Sequence, residues 1–354
     1  MDAPSYLDAR LIMDSFYHHQ LVRPVSDQQA GAVLAIGNFD GVHRGHQVVL
    51  EQAVSVARKK GCKCFALSFE PHPRTLFKPD SPVFRLTDET MKARVLDAFG
   101  LDGLLVLEFS RELAGTSAED FVQSLLLDRA GASHIVSGFN FHFGKNRAGS
   151  PDFLRQSGEE LGFGVTIVEA KKDAIDGGND EDDAANIISS SRIRRLLGSG
   201  EVNAAAQLLG YHWLVSGPVI KGAQLGRTLN YPTANLALAE NCRLAHGIYA
   251  VHLRRPDGRL YGGVASYGRR PTFDNGPALL ETFIFDFDED IYGEEISVSL
   301  LEYLRPELKF DSAEALVVQM DKDSAQARRC LAEAKPLSDL DARLNFDTGV
   351  PGDG

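Results

Sequence analysis

The chain is poor in every feature that would send it to a membrane, out of the cell or onto a nucleic acid. No uninterrupted apolar run among its 354 residues approaches the roughly 20 needed to cross a bilayer. The first residues, Met1-Asp2-Ala3-Pro4-Ser5, lack the basic and apolar regions of a signal peptide, so the cytoplasm is the expected compartment. Positive charge is in deficit: 37 Lys and Arg face 49 Asp and Glu, a formal net charge of −12, which argues against a general nucleic-acid binder. Small anionic substrates stay compatible with it, because local Arg, His and backbone dipoles outweigh global charge inside a cleft. Cysteine is scarce as well. Cys62, Cys64, Cys242 and Cys330 match neither a zinc site nor a disulfide framework, and Cys62 and Cys64 fall on one face of an expected strand as small buried hydrophobes. No internal repeat is present. What remains, 44% hydrophobic and 24% charged residues over a length suited to about two domains, describes a soluble globular protein.

The stretch Gly37-Asn38-Phe39-Asp40-Gly41-Val42-His43-Arg44-Gly45-His46 carries the densest chemistry. Residues 32–36 before it are an apolar run that reads as a buried strand. After it, Val49, Ala53, Val56 and Ala57 recur at helical spacing as far as Lys60-Gly61. The stretch is therefore a strand-to-helix turn that presents two imidazoles and an arginine at a helix N-terminus. Unpaired N–H groups and the helix dipole favour an anion there. Gly41 and Gly45 are expected to leave room for a phosphate. A metal site on Asp40 and the two histidines is the competing reading, but the adjoining glycines suit phosphate better than a closed coordination shell.

Up to about residue 200, strand and helix alternate. Strands are expected over residues 62–69, 104–109, 134–137 and 164–168, and helices over 87–99, from Ser117 to Gly131 and from Pro151 to Gly162. This predicts an α/β doubly wound, Rossmann-like N-terminal domain, with ligands beyond the carboxyl ends of its strands. Residues 171–186, rich in Asp, Gly and Asn, predict a mobile acidic loop, followed by two short helices over 189–197 and 201–209. After Gly210, short β-rich segments separated by Gly and Pro turns predict a C-terminal antiparallel β-barrel with a closing helix over 312–333. Residues 336–354 read as a flexible tail.

Three further clusters fall at the expected ligand edge. In Ile188-Ser189-Ser190-Ser191-Arg192-Ile193-Arg194-Arg195, serines opening a helix are ordinarily caps and arginines ordinarily solvated. Beside a phosphate turn on the same sheet, they read as a second clamp on a triphosphate. Glu70-Pro71-His72-Pro73-Arg74 and Gly138-Phe139-Asn140-Phe141-His142-Phe143-Gly144-Lys145-Asn146-Arg147 each follow an expected strand. The alternating Phe139, Phe141 and Phe143 are either core packing or a wall for a flat aromatic ligand, flanked by Lys145 and Arg147 for its phosphate.

Together, Gly37 to His46, Phe69 to Pro73, Asn140 to Arg147 and Ser189 to Arg194 resemble the N-terminal module of the bacterial bifunctional riboflavin kinase/FMN adenylyltransferase family, also called FAD synthetases. The second half carries matching motifs in the family's order. They are Gly226-Arg227-Thr228-Leu229-Asn230-Tyr231-Pro232-Thr233-Ala234-Asn235, Tyr267-Gly268-Arg269-Arg270-Pro271-Thr272-Phe273, Leu280-Glu281, Phe285-Asp286-Phe287 and Leu304-Arg305-Pro306-Glu307-Leu308-Lys309-Phe310. The resemblance implies a nucleotidyltransferase domain over residues 20–205 and a riboflavin kinase domain over 206–335. It implies an enzyme that phosphorylates riboflavin with ATP to FMN, then transfers AMP from ATP to FMN, giving FAD and pyrophosphate. Mg²⁺ would be its cofactor and riboflavin, FMN, FAD and ATP its partners, with no nucleic acid, no membrane, and a monomer or weak homo-oligomer as its state.

By the same resemblance, ATP for adenylyl transfer is bound by Gly37, Phe39, Asp40, His43, Gly45, His46, Ser190, Ser191 and Arg194, with His43, His46 and Arg194 catalytic. Pro71, His72, Asn140, Phe141, Lys145 and Arg147 take the flavin. Gly222, Arg227, Thr233 and Asn235 take the kinase nucleotide, Thr233 and Asn235 also hold the metal, and Glu281 is the general base. Glu281 suits that role on its own account, since it interrupts the apolar strand Leu279-Leu280 and Phe283-Ile284-Phe285. Two positions depart from the family pattern: Phe283 stands where a His is frequent, and Asn230 where a Gly is usual. Altered flavin or loop contacts are expected from them. The rival readings are a riboflavin kinase with a non-catalytic adenylyltransferase-like domain, and a flavin-binding regulator without catalysis.

Overall fold

The structure, a computed structural model, describes residues 16–27, 29–169, 187–222, 231–268 and 278–347. The expected acidic loop and the last seven residues of the expected tail therefore lie outside the described residues, as does Arg227 with the first half of its motif. The chain divides into two compact units, one ending at Ser190 and the other starting at Ser191, earlier than the expected junction after residue 205.

In the first unit, strands β1 (Tyr17–Gln20), β2 (Ala32–Ile36), β3 (Cys64–Glu70), β4 (Gly103–Glu108), β5 (Ala132–Gly138) and β6 (Gly164–Val168) form one sheet in the order β1-β4-β3-β2-β5-β6. Every neighbouring pair is parallel. The crossovers carry α1 (Arg44–Lys60), α2 (Pro73–Phe77), α3 (Glu89–Phe99), α4 (Arg111–Gly115), α5 (Ala118–Asp120, continued by π-helical turns over Phe121–Arg129) and α6 (Pro151–Leu161). All residues of β2 are buried, as a central parallel strand covered by helices requires. Each Val, Leu or Ile so buried contributes about 1.5–3 kcal/mol. The helices stop where expected, because Gly61, Gly100 and Gly162 take the left-handed conformation that side chains resist.

The direction of strand progression reverses between β2 and β5. In such a sheet the crevice beyond the carboxyl ends of those two strands is the binding position. The segments that leave it are Gly37 onward from β2 and Phe139 onward from β5, the two motifs of the sequence. Of the paired cysteines, only Cys64 lies in β3 and is buried, where burial pushes its thiol up to about 12; Cys62 sits half-buried in the preceding turn.

The second unit opens with α7 (Ser190–Gly198, whose first residue belongs to the first unit) and α8 (Val202–Leu209). Strands β7 (Leu214–Pro218), β8 (Thr233–Ala237), β9 (Gly247–Arg254), β10 (Leu260–Gly268), β11 (Leu279–Ile284) and β12 (Glu295–Arg305) follow, antiparallel in the order β7-β12-β9-β10-β11-β8. Ile220, just past β7, pairs with Asn235 of β8, so the sheet curls almost shut. Helix α9 (Ala313–Glu333), capped by Ser312, packs on β9, β10 and β12 and is pinned to β12 by Arg305, whose guanidinium grips the buried Asp323.

Residues 336–347 are not a loose tail. Leu340, Asp341, Leu344 and Asn345 are buried in the barrel unit. Asp341 accepts from the backbone N–H of His212 (2.9 Å), from Leu337 (2.8 Å) and from Asn345 (2.7 Å), and its second oxygen lies 2.8 Å from His212 Nδ1. A polar composition hid this segment, since its anchors are a buried Asp and a buried Asn rather than an apolar run.

Candidate active sites

The turn after β2 is wound tightly: Phe39, Gly41 and Val42 all have positive φ, at 47°, 83° and 38°. For Phe and Val that conformation is strained and persists only because the surroundings over-determine it. His43 caps α1, its Nδ1 accepting from the His46 N–H at 3.3 Å. That use of the Nδ1 lone pair leaves the proton of a neutral His43 on Nε2. The His43 and His46 rings stack 3.7 Å apart, and the Phe39 ring meets His46 edge-on at 5.4 Å. Burial, helped by the neighbouring His43 and Lys92, holds the His46 imidazole well below its usual pKa. It is therefore a neutral ring at physiological pH. Its Nδ1 is buried without a hydrogen-bond partner among the described residues.

The glycines act differently from expectation. A Cβ on Gly45 would lie 3.1 Å from the His43 ring, and one on Gly37 3.1 Å from the Phe39 ring. Both make room for the turn's own rings, and Gly41 supplies a left-handed backbone. Ser190 reaches the same turn, its Oγ donating to the Asp40 carbonyl at 2.9 Å. Ser191 is exposed. Arg194 is half-buried in α7 and belongs to the second unit.

Beneath the turn runs a chain of four charges withdrawn from solvent. Lys92 of α3 is fully buried, and its Nζ donates to Ser68 Oγ at 2.7 Å and to Glu70 Oε1 at 2.8 Å. Ser68 Oγ donates onward to the Asn38 carbonyl at 3.1 Å. Glu70, at the carboxyl end of β3, is gripped by both terminal nitrogens of Arg85, whose Nε lies 3.8 Å from Asp40 Oδ1. Asp40 Oδ1 accepts from the Leu86 N–H at 2.8 Å and the Thr87 N–H at 3.1 Å, while the Gly41 N–H donates to Thr87 Oγ1 at 3.0 Å. Burial alone would lift the Glu70 carboxyl, but the Arg85 hydrogen bond and the Lys92 charge overcome it and hold it below the usual carboxylate value. Burial pulls the Lys92 ammonium down, with Glu70 opposing.

Asp40, expected among the ATP-binding residues, thus has its carboxylate turned to the 85–87 segment. Lys92, Ser68, Arg85 and Thr87 were not anticipated. One signal existed: Lys92 lies on the apolar stripe of its helix, three and four residues before the buried Val95 and Leu96.

Pro71 follows a cis Glu70–Pro71 bond, and His72 caps α2, its Nδ1 accepting from the Arg74 N–H at 3.2 Å. Beyond β5 the three phenylalanines divide. Phe143 is core, packed on Phe121 at 4.9 Å; Phe141 is half-buried and stacks on Phe143 at 5.5 Å; Phe139 is 40% exposed. Core packing therefore accounts for Phe143, while Phe139 stays accessible at the edge of the sheet. Asn140, Lys145 and Arg147 are exposed, and the last lies in a run that includes positive φ at Gly144, Asn146 and Arg147.

In the second unit the expected kinase residues fall on one face of β8 and β11. Thr233 and Asn235, two apart on β8, share a face, and Thr233 Oγ1 donates to Asn235 Oδ1 at 3.1 Å. Glu281 of β11 is the direct cross-strand partner of Asn235, and Phe283 of Thr233. Directly paired residues project to the same side, so the carboxylate and the two neutral oxygens are neighbours. A cavity of about 720 Å³ adjoins the two neutral oxygens, lined in part by Pro232, Thr233, Asn235, Phe283, Asp286 and Tyr292 but not by Glu281. Phe283 packs on Tyr231 with ring centroids 4.5 Å apart, and the Tyr231 hydroxyl donates to Asp321 of α9. Gly222 is half-buried just past β7.

Two family models match the chain, one described as FAD synthetase over residues 25–177 and one as riboflavin kinase over residues 209–331. A bifunctional riboflavin kinase/FMN adenylyltransferase of Listeria monocytogenes is 36% identical over 324 residues, covering 91% of this chain and 99% of that protein. A protein of the same description from Escherichia coli K12 is 35% identical over 308 residues, covering 87% and 95%. A solved structure described as a macrolide-efflux protein from Streptococcus pneumoniae is 30% identical, with a TM-score of 0.75 over 89% of this chain and 99% of its own. Among the described residues no helix is long and apolar enough to cross a membrane.

Proposed function

The chain belongs to the bifunctional riboflavin kinase/FMN adenylyltransferase family, and we propose that its two units carry the two reactions separately. Riboflavin is phosphorylated to FMN on that face of β8 and β11, and FMN is adenylylated to FAD at the turn after β2. The family matches fall inside the domains assigned to these activities, residues 20–205 and 206–335. The observation that carries the division is the cross-strand pairing of Glu281 with Asn235, which sets a carboxylate beside two neutral side-chain oxygens inside the stretch matched as riboflavin kinase.

In the kinase step the riboflavin 5′-hydroxyl attacks the γ-phosphate of ATP. A hydroxyl is a poor nucleophile at neutral pH, so Glu281 takes its proton as general base. Thr233 and Asn235 offer neutral oxygens, a donor set that fits Mg²⁺ already bound to nucleotide phosphates and water. When bound there, Mg²⁺ would neutralise phosphate charge. Gly222 and Arg227 belong to the segment assigned to ATP, and Phe283 shapes the adjoining cavity.

In the adenylyl step the nucleophile is the FMN phosphate, largely dianionic at pH 7 because its second pKa is about 6. It needs no base. It needs alignment with the α-phosphate and neutralisation of charge. The α1 N-terminus, His43, His46 and Ser190 supply donors for that purpose, with Pro71, His72, Asn140, Phe141, Lys145 and Arg147 assigned to the flavin. Free thiols at all four cysteines and soluble substrates fit a cytoplasmic enzyme.

A time course from riboflavin, ATP and Mg²⁺, resolved by chromatography, tests the reading: FMN forms first and FAD follows. Absence of FMN under several metal and redox conditions would overturn the kinase assignment. FMN without FAD, even when FMN and ATP are supplied directly, would favour the rival in which the first unit is not catalytic.

A further inference from the structure

The buried charge chain under the turn is used by neither reaction, yet it touches the turn at two points. We propose that Lys92 is a positioning residue for adenylyl transfer, holding the turn and the carboxyl end of β3 in one arrangement through Ser68 and Glu70. The inference rests on the assignment of adenylyl transfer to this turn.

Two branches run from the Lys92 ammonium. The short one passes through Ser68 Oγ to the Asn38 carbonyl, at 2.7 and 3.1 Å. The long one passes through Glu70 and Arg85 toward Asp40, whose carboxylate also holds the Leu86 and Thr87 N–H groups. The branches meet the turn on either side of Phe39, which is held at positive φ. A strained backbone needs such external constraint, and here the polar branches add it to the burial of the Phe39 and Val42 side chains. The chain is balanced, Lys92 and Arg85 against Glu70 and Asp40, so removing one member leaves an uncompensated charge among the rest. Ion pairs with a fully buried member, as Lys92 is here, add little net stability over apolar packing, which makes geometry the better reason for their presence.

Lys92 also bears on the imidazoles. The charged or titratable groups that bear on His46 include His43 from the turn and Lys92 from α3. Both disfavour a proton on His46, as burial does. Loss of the ammonium therefore moves the His46 pKa upward, toward 6.5. The acid limb of FMN adenylylation moves to higher pH with it.

The test is Lys92→Met and Ser68→Ala in the full chain, each assayed for FMN adenylylation over pH 5–9 and for riboflavin phosphorylation. Lys92→Met should lower kcat for adenylylation by about 10- to 100-fold, the scale of a displacement of roughly 1 Å at a reacting centre. Its acid limb should shift to higher pH. Ser68→Ala, which keeps the ammonium and cuts only the short branch, should lower kcat by a few-fold without moving the limb. Riboflavin phosphorylation should stay at the wild-type rate in both, which certifies the fold of the second unit. Wild-type kcat, KM and pH profile in Lys92→Met would overturn the proposal. If Lys92→Met is too unstable to assay, wild-type adenylylation in Ser68→Ala overturns it instead. A wild-type chain that makes FMN but no FAD from FMN and ATP would remove the underlying assignment, a result distinct from either.

Discussion

Glu281→Gln separates the two reactions most cleanly. Glutamine keeps the length and shape of the side chain and its capacity to hydrogen-bond, so the register of β11 against β8 and β10 should persist. Glu281 is half-buried rather than core, and a near-isosteric change at such a position should alter stability by no more than about 0.5 kcal/mol. What is lost is the proton acceptor beside Asn235. A positioned general base contributes about 10²–10⁴-fold, or roughly 2.7–5.4 kcal/mol of barrier at about 1.36 kcal/mol per tenfold. FMN formation from riboflavin should fall by that factor with little change in KM for ATP, because Thr233 and Asn235 are untouched. FAD formation from supplied FMN should continue at the wild-type rate, since it uses the other unit. The assay is one chromatographic time course run from each starting flavin. A loss of FMN formation below about tenfold, or a parallel loss of both reactions in a folded protein, would refute the assignment of Glu281.

The reverse pattern is expected of the turn. His43→Ala and His46→Ala should each lower FMN adenylylation by about 10²-fold, the cost of one preorganised donor, while riboflavin phosphorylation persists. Chelation of divalent metal should abolish FMN formation, and restored Mg²⁺ should return it, as measured in the same time course. Asp341→Ala should destabilise the barrel unit by about 3 kcal/mol in chemical denaturation at pH 7, because donors from His212, Leu337 and Asn345 lose their acceptor. Burial would raise the Asp341 carboxyl, but the His212 contact and the other donors hold it below its usual value. The folded pKa being depressed, the wild-type advantage is complete above the unfolded value of about 3.9 and fades as pH falls through the lower folded value. The gap between wild type and Asp341→Ala should narrow in acid, and a constant gap would exclude the linkage.

The parts legible in the sequence are those governed by local rules. Gly61, Gly100, Gly162 and Gly210 end helices because only the left-handed region lets the chain leave there, and glycine reaches it without strain. Ser117, Ser150 and Ser312 start helices by offering an oxygen to the third N–H onward. The misses are positions where distant partners decide. Strand β1 is a polar run of Tyr and His at a sheet edge, recognisable only through its pairing with β4, where a Cβ on Gly103 would lie 2.1 Å from the Tyr17 carbonyl oxygen. Strand β8 follows Pro232 and is only five residues long, so its alternation was absorbed into a nucleotide motif. The anchors in 336–347 and the chain through Lys92 pair residues far apart in sequence: 129 positions separate His212 from Asp341, and 22 separate Lys92 from Glu70. No local pattern encodes such pairs.

The two sites differ in what they do with carboxylates, and the difference follows from the nucleophile. A hydroxyl must lose a proton, so the kinase site calls for a carboxylate; Glu281 stands half-buried as the cross-strand partner of Asn235. A phosphate dianion arrives ionised, and a bare carboxylate near it would repel both FMN and the triphosphate. The turn has two carboxylates within reach, and neither is bare. Asp40 is buried on the Leu86 and Thr87 N–H groups, and Glu70 is held by Arg85 and Lys92. Around them the turn sets a helix N-terminus, the capping His43 imidazole and the buried His46 imidazole. Replacing Glu70 with Gln should therefore impair adenylylation through the geometry of Arg85 and Lys92 and leave no base to be missed. Its pH profile should show no loss of a basic group, only a lowered plateau, and the disappearance of a whole acid limb would mean that Glu70 had been taking a proton after all.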